Sequence, residues 1–180
     1  MADIQVLSIE QAPEKSKPLF EAIKGKFGKI PNIFALMAYS PATLEAFLSY
    51  KELLSKGELS SQEQEAVSLV VAQQNKCDYC LAAHSAIAKT LGISDEEILR
   101  NRKCDSSDQK IKALLALSRN IVATNGFPSD GNIDAFIEAG YSKSALVELV
   151  GFVALNIFTN YLNHVVKTPI DFPEAQALDL

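Results

Sequence analysis

The fold is decided by residues 65–91, which read EAVSLVVAQQNKCDYCLAAHSAIAKTL. Ser60 and Glu63 precede this stretch in a capping-box pattern, so we predict that a helix begins there. A second helix is predicted from Cys77 to Gly92, because glycine favours the position just after a helix end. The first helix is apolar almost all the way round, which is typical of a helix buried in a core.

The second helix carries two thiols and an imidazole at helical spacing, namely Cys77, Cys80 and His84. A helix turns by about 100° per residue, so Cys80 and His84 are expected on the same side, one turn apart. Cysteines at a helix N-terminus lie at the positive end of the helix dipole, which favours the thiolate. Since a nearby imidazole can take or return the proton, the pattern predicts a redox or nucleophilic site.

Glu65 is the candidate proton carrier on the first of these two helices. If its side chain faces inward it needs a partner, because an unpaired buried carboxylate is costly. His84 is the only histidine nearby in the sequence, and a chain from Glu65 through His84 to a cysteine would hold the imidazole in one tautomer and activate a thiol. The alternative is that Glu65 is a solvated first-turn residue that complements the helix dipole.

The rest of the chain is also predicted to be helical, with no convincing alternating strand, no linker and no internal repeat. Further helices are predicted from Pro13 to about Gly25, over a short apolar segment at 31–39, and from starts at Ser40, Ser94 (with Glu97 in the capping-box pattern), Asp108, Asp130 and Ser142. The tail from Thr168 to Leu180 is expected either to dock on the body or to cross to a partner. These features predict one all-α domain, a helical bundle over residues 1–180.

The composition limits the partners and the compartment. The chain has 180 residues, 48% of them hydrophobic, and a net charge of −5, which argues against nucleic acid or an anionic membrane as the main partner. No uncharged apolar run reaches the roughly 18 residues of a membrane span, and the N-terminal residues do not resemble a signal peptide. Three cysteines do not form a secreted disulfide framework, so we expect a cytoplasmic protein.

The spacing of the acid, the thiol pair and the imidazole carries a specific resemblance. Glu65, eleven residues, Cys-x-x-Cys at 77–80, three residues and His84 resembles the signature of the alkyl hydroperoxidase D family, within the carboxymuconolactone decarboxylase-like superfamily. Ile-Pro-Asn at 30–32 and Ser-Pro at 40–41 are similar to the branch labelled peroxidase-related. The resemblance implies an all-α fold that assembles as a homo-oligomer, a dimer, trimer or hexamer.

The resemblance also implies a thiol-dependent reductase in antioxidant defence, which acts on a small-molecule hydroperoxide and uses a thiol or dithiol reductant. By this analogy Cys80 is the peroxidatic thiol, which passes through a sulfenic acid, and Cys77 resolves it to a disulfide. Glu65 and His84 would relay protons. No metal is implied and no organic cofactor, since no flavin, haem or nicotinamide motif is present. One departure is Tyr79, where the best-known members have a histidine between the cysteines.

Two alternatives to peroxide reduction stay open at the level of sequence. One is a redox-sensing oligomer whose disulfide switches a partner interaction without efficient turnover. The other is a structural zinc module held by the two cysteines and His84, with Cys104 or His164 as a fourth ligand, although the second closely spaced pair of such sites is missing. Cys104 is otherwise interpreted as an incidental thiol.

Tyr79 and His164 are further candidates for residues that line the site. Tyr79 lies between the cysteines, although an aromatic at such a position is more often packing. His164 lies in the polar run NYLNH at 160–164, which could face the thiols or form a subunit contact. It is otherwise interpreted as a hydrogen-bonded histidine at a helix C-terminus.

Overall fold

The computed structural model describes residues 4–178, and the all-α prediction is confirmed, because this part of the chain contains helices and no strand. A 3₁₀ turn at Glu14–Ser16 precedes the α-helices. The helices within residues 4–178 are α1 (Lys17–Phe27), α2 (Asn32–Met37), α3 (Pro41–Leu54), α4 (Ser61–Gln74), α5 (Asp78–Thr90), α6 (Asp95–Arg102), α7 (Gln109–Ala123), α8 (Asp130–Glu138) and α9 (Lys143–Val166).

The capping pattern at Ser60 forms the box that the sequence predicts. The Glu63 N–H donates to Ser60 Oγ at 3.3 Å, and the Ser60 N–H donates to the Glu63 carboxylate at 2.8 Å. The same pattern at Ser94 is only half formed, because Glu97 instead accepts hydrogen bonds from the connector after α6, at Ser106 and Ser107. A first-turn carboxylate can therefore bond to a loop that returns to it, in place of the N–H of the N-cap residue.

Helix α4 is the central element of the fold. It packs against α5, α6, α7 and α9, and every residue from 65 to 72 is buried. The prediction of a helix that is apolar almost all round is therefore confirmed. Burial on several sides also means that a polar group on this stretch lies inside the protein, as the Glu65 carboxylate does.

Helix α9 is the longest helix, with 24 residues, and it packs against α2, α3, α4, α5 and α7. By length and composition it could cross a membrane, but a core helix passes the same test, and its contacts with five helices bury part of its apolar surface. Leu149 and Val153 of this helix are buried, whereas Val150 is exposed. Exposed apolar residues such as Val150 are compatible with a subunit contact, but they do not test the predicted homo-oligomer.

The described part of the C-terminal tail docks on the body, the first of the two predicted alternatives. The Tyr79 hydroxyl donates to Asp171 Oδ1 at 2.8 Å, and Lys29 Nζ pairs with Asp171 Oδ2 at 2.9 Å. Further along, the Arg102 guanidinium donates to the Gln176 carbonyl. These contacts hold the tail over the start of α5 and place Phe172 edge-on against the Tyr79 ring.

Candidate functional site

The two cysteines of the Cys-x-x-Cys motif lie in contact at the start of α5. Cys77 is the N-cap of the helix and Cys80 is in its first turn, with exposed fractions of 1% and 2%. Both are free thiols, and their sulfurs are 2.7 Å apart. A disulfide bond is about 2.05 Å long, so the pair needs only a small movement to join.

A very short connection between α4 and α5 sets this geometry. Lys76 adopts the left-handed conformation with φ of 56°, and the Cys77 N–H donates to the Ala72 carbonyl at 2.9 Å. A non-glycine residue in this conformation costs about 1 kcal/mol. The abrupt turn brings α5 back along α4, so that Glu65, nine residues before the end of α4, can meet His84, six residues after the start of α5.

Glu65 and His84 meet across these two helices. Glu65 Oε2 lies 2.7 Å from His84 Nδ1, and Glu65 is only 9% exposed. A carboxylate at Nδ1 fixes the tautomer and orientation of the ring and leaves Nε2 for a reacting group. The structure thus brings together the acid and the imidazole that the sequence singles out, and the alternative of a solvated Glu65 does not fit its burial.

An asparagine that the sequence analysis did not select also contacts both thiols. Asn163 Nδ2 on α9 lies 3.2 Å from the Cys80 sulfur and 3.9 Å from the Cys77 sulfur, so it donates toward both. One turn earlier, Asn160 is held by a 2.8 Å hydrogen bond from Asn75 Nδ2. The signal in the sequence was the presence of two asparagines, Asn160 and Asn163, on an otherwise apolar helix, because amides that are buried with such a helix need hydrogen-bond partners.

The structure does not place His164 beside the thiols, which corrects its selection as a possible site-lining residue. It is exposed, and its ring lies 6.5 Å from that of Tyr161, away from the thiols. The residue before it, Asn163, takes the inward position, because neighbouring positions on a helix point about 100° apart.

Tyr79 does line the pocket beside the thiols. Its hydroxyl donates to Asp171 and accepts the Ile33 N–H at 3.2 Å. Tyr79 therefore ties the start of α5 to α2 and to the tail.

The zinc alternative lacks a ligand set in the described structure. Within residues 4–178, no group of three or more His, Cys, Asp or Glu side chains is placed to hold a metal ion. Cys104 is partly buried, with φ of 62°, in the connector after α6. Burial raises the pKa of its thiol, so the structure gives this cysteine no feature of a reactive residue.

The pKa values of the two thiols are shifted in opposite directions. The hydrogen bond with Cys80 lowers the pKa of Cys77, and the Cys80 backbone N–H and Asn163 lower it further, while burial opposes them. The same sulfur–sulfur hydrogen bond raises the pKa of Cys80, and burial adds to this effect, against the amides of Asn163 and Asn160. The pair therefore loses its first proton readily and keeps the second between the two sulfurs.

Replacement of Asn163 by leucine is expected to raise the pKa of the first thiol ionisation, because the N–H donor to both sulfurs is lost. In the unaltered pair the pKa of Cys77 is lowered from its ordinary value and the pKa of Cys80 is raised. The measurement is the ultraviolet absorbance of the thiolate against pH, in a Cys104→Ser background. Asn156→Leu is the control, since Asn156 is a buried amide of the same helix that bonds the Phe152 carbonyl instead. An unchanged first pKa in Asn163→Leu would contradict this role.

A pocket of about 70 Å³ opens beside Cys80 and His84. Its other walls are mostly apolar and aromatic, and Cys77 does not line it. Cys80 is thus the thiol that a molecule in the pocket can reach, and Cys77 lies behind it. The remaining lining residues are Phe27, Pro31, Ile33, Phe34, Phe47, Lys51, Tyr79, Ala83, Ile87, Thr159 and Phe172.

Lys51 is a charged residue of the pocket that the sequence analysis did not select. It lies in the last turn of α3 and is partly buried. Burial lowers the pKa of its ammonium, and the Glu65 carboxylate opposes this effect. No spacing within the sequence connects α3 to the Cys-x-x-Cys motif, so only the packing of the helices reveals this neighbour.

Comparisons with known proteins agree with the resemblance predicted from the sequence. Residues 41–117 match the profile of the carboxymuconolactone decarboxylase family, a range that contains Glu65, both cysteines of the pair and His84. The predicted likeness to the carboxymuconolactone decarboxylase-like superfamily is confirmed. A search of curated protein sequences gave no match.

Solved structures share the fold. A peroxidase-related protein from Ralstonia eutropha JMP134, described as an alkylhydroperoxidase AhpD core, has a TM-score of 0.85 at 18% identity, over 94% of this chain and 92% of its own. A peroxidase-related protein from Silicibacter sp. TM1040 gives 0.79 at 22% identity, over 93% and 89%. A cysteine-to-alanine variant of the debrominase Bmp8, in complex with 2,3,4-tribromopyrrole, gives 0.80 at 19% identity, over 93% and 91%. At these identities the likeness shows the fold alone.

Proposed function

We propose that the protein is a thiol-dependent hydroperoxide reductase whose redox couple is Cys77 and Cys80. One observation carries the proposal: two reduced sulfurs in contact, one of which borders a small pocket beside an imidazole that a carboxylate orients. A dithiol supplies two electrons, the number that reduction of a peroxide O–O bond requires.

In the first step Cys80 attacks the peroxide. The proton shared between the two sulfurs moves from Cys80 to Cys77, and the Cys80 thiolate formed in this way attacks the terminal oxygen of ROOH. The S–O bond forms, the O–O bond breaks, and the alkoxide leaves with a proton from His84 as the alcohol. Glu65 stabilises the protonated imidazole before the transfer, and the Asn163 N–H stabilises the negative charge on sulfur.

In the second step Cys77 resolves the sulfenic acid. Cys77 passes its proton to the departing hydroxide, its sulfur attacks Cys80, the S–O bond breaks and water leaves. The balance is ROOH plus two thiols to ROH, water and one disulfide. An external thiol or dithiol then returns two electrons. The geometry supports this order, because the sulfurs start 2.7 Å apart and only Cys80 borders the pocket.

Reductive debromination is a second reaction that a dithiol could drive on this fold, since Bmp8 is a debrominase. The pocket argues for peroxide instead. Its volume of about 70 Å³ is less than half of the roughly 150 Å³ in which an engineered cavity holds a benzene ring. A peroxide group with a short alkyl chain suits this space, whereas a brominated ring needs the pocket to widen.

The setting of the reaction is also part of the proposal. A buried dithiol that must be returned to the reduced state suits the cytoplasm, where thiols are kept reduced. Assembly of a homo-oligomer is supported by exposed apolar side chains on neighbouring surfaces of α3 and α9, among them Leu53, Val147 and Val150.

The test is a turnover assay with tert-butyl hydroperoxide and dithiothreitol as the reductant. An enzyme consumes many equivalents of peroxide per protein, at a rate that depends on protein concentration. The redox-sensor alternative consumes one equivalent and then stops even though reductant is present, and that result would contradict the proposal.

A further inference from the structure

We propose that Lys51 makes this pocket selective for anions, so that the preferred substrates are small organic hydroperoxides that carry a carboxylate. The hydroperoxide group of the substrate rests on the proposed function. The negative charge of the substrate rests on the position of Lys51 in the pocket. It concerns a side chain that takes no part in the proton relay or in the thiol pair.

The position of Lys51 is the first argument. It lines the same pocket as Cys80 and His84, and most of the remaining wall is apolar. The other group of the lining that carries a positive charge in the mechanism, His84, is already paired with Glu65. An anionic ligand therefore has the unpaired Lys51 ammonium as its contact, and this contact fixes its orientation. A carboxylate at Lys51 would leave the alkyl portion against the aromatic wall and the peroxide group free to reach Cys80.

The lack of a partner for Lys51 is the second argument. Nothing in residues 4–178 makes a hydrogen bond to its ammonium or an ion pair within 4.0 Å. A buried charge without a partner is costly, and burial accordingly lowers the pKa of this lysine. The nearby Glu65 carboxylate acts on it through space but is bonded to His84. A bound anion would supply the missing contact and keep the lysine charged.

Charge balance at the thiol is the third argument. An anionic substrate that approaches the Cys80 thiolate meets a like charge, which disfavours binding in a pocket of low polarity. A lysine ammonium in the same pocket offsets this repulsion. The described lining of the pocket contains no other Lys or Arg side chain, so the effect of one substitution can be measured.

The test compares two alkylating probes of nearly the same size, iodoacetate and iodoacetamide, which differ by one negative charge. With either probe the thiolate sulfur forms a bond to carbon and iodide leaves. Because both react with the same Cys80 thiolate, the ratio of their rates cancels any change in the thiol pKa. Mass spectrometry of the reduced protein reads the alkylation of Cys80 and, as an internal reference, of Cys104.

Replacement of Lys51 by methionine is expected to lower the iodoacetate-to-iodoacetamide ratio at Cys80 by about tenfold, the lower end of what local charge does to encounter rates. The ratio at Cys104 should stay unchanged, and Lys51→Arg should retain most of the preference. Lys56→Met is the matched control, because Lys56 follows the same helix but pairs with Glu52 at the surface.

An unchanged ratio at Cys80 in Lys51→Met would overturn the inference. An equal slowing with both probes gives this unchanged ratio, and it would show that Lys51 acts on the thiolate and not on the charge of the ligand. These readouts need no peroxide turnover. A protein that fails the turnover assay but shows the shifted ratio would therefore refute the peroxidase proposal and retain the anion site, and the reverse pattern would do the opposite.

Discussion

Replacement of Cys80 by serine is expected to abolish peroxide turnover, with a loss of about a thousandfold or more in kcat/KM. A serine hydroxyl has nearly the size of the thiol but is not ionised at neutral pH, and its oxygen does not form a sulfenic acid. Cys80 is the thiol that borders the pocket, so no other cysteine can take its place without a rearrangement of α5. The measurement is the tert-butyl hydroperoxide assay with dithiothreitol.

Two further serine variants serve as comparisons for this result. Cys104→Ser should keep full activity, because Cys104 lies in a connector outside the pair. Without dithiothreitol, Cys77→Ser should consume one equivalent of peroxide and accumulate a sulfenic acid on Cys80, because the resolving sulfur is missing and no other thiol replaces it. Turnover at the normal rate in Cys80→Ser would remove this residue from the mechanism.

Replacement of Glu65 by glutamine is expected to slow the reaction of the reduced protein with peroxide by about a hundredfold. Glutamine has the same shape and can still accept the His84 Nδ1–H, but it carries no charge to stabilise the protonated imidazole. Loss of that charge makes His84 a poorer proton source for the leaving alkoxide. The measurement is the second-order rate constant in single-turnover stopped flow, over a range of pH.

A matched control separates chemistry from stability in this experiment. Glu45→Gln makes the same chemical change on an exposed position of α3 and should leave the rate unaltered. Thermal melting of Glu65→Gln shows whether the fold is intact, since a buried charged partner has been removed. A folded Glu65→Gln protein that reacts as fast as the unaltered one would leave the Glu65–His84 pair with a purely structural role.

Local signals were sufficient to predict most of the helices and four residues of the site. Caps at Ser60, Ser94 and Asp108 mark helix starts because a hydroxyl or carboxylate satisfies free N–H groups there. Glu65, Cys77, Cys80 and His84 lie on two consecutive helices joined by a short turn. Their proximity therefore follows from spacing along the chain, and a carboxylate on a buried helix needs a nearby partner.

Site residues on distant helices could not be predicted from the spacing of residues along the chain. Asn163 and Lys51 reach the site because α9 and α3 pack against the start of α5 and its neighbours, and no sequence spacing encodes that packing. The choice between Asn163 and His164 depends on the rotation of α9 about its axis, which tertiary contacts set. Glu97 shows the same limit, since a loop that returns to it takes the place of its local cap.

The most direct test of the account is the thiol state of the reduced protein after one equivalent of peroxide, mapped by mass spectrometry. The account predicts that Cys77 and Cys80 become one intramolecular disulfide, with Cys104 still a thiol and one alcohol released per protein. A reduced Cys77–Cys80 pair after the peroxide has been consumed, or a disulfide that includes Cys104, would contradict it.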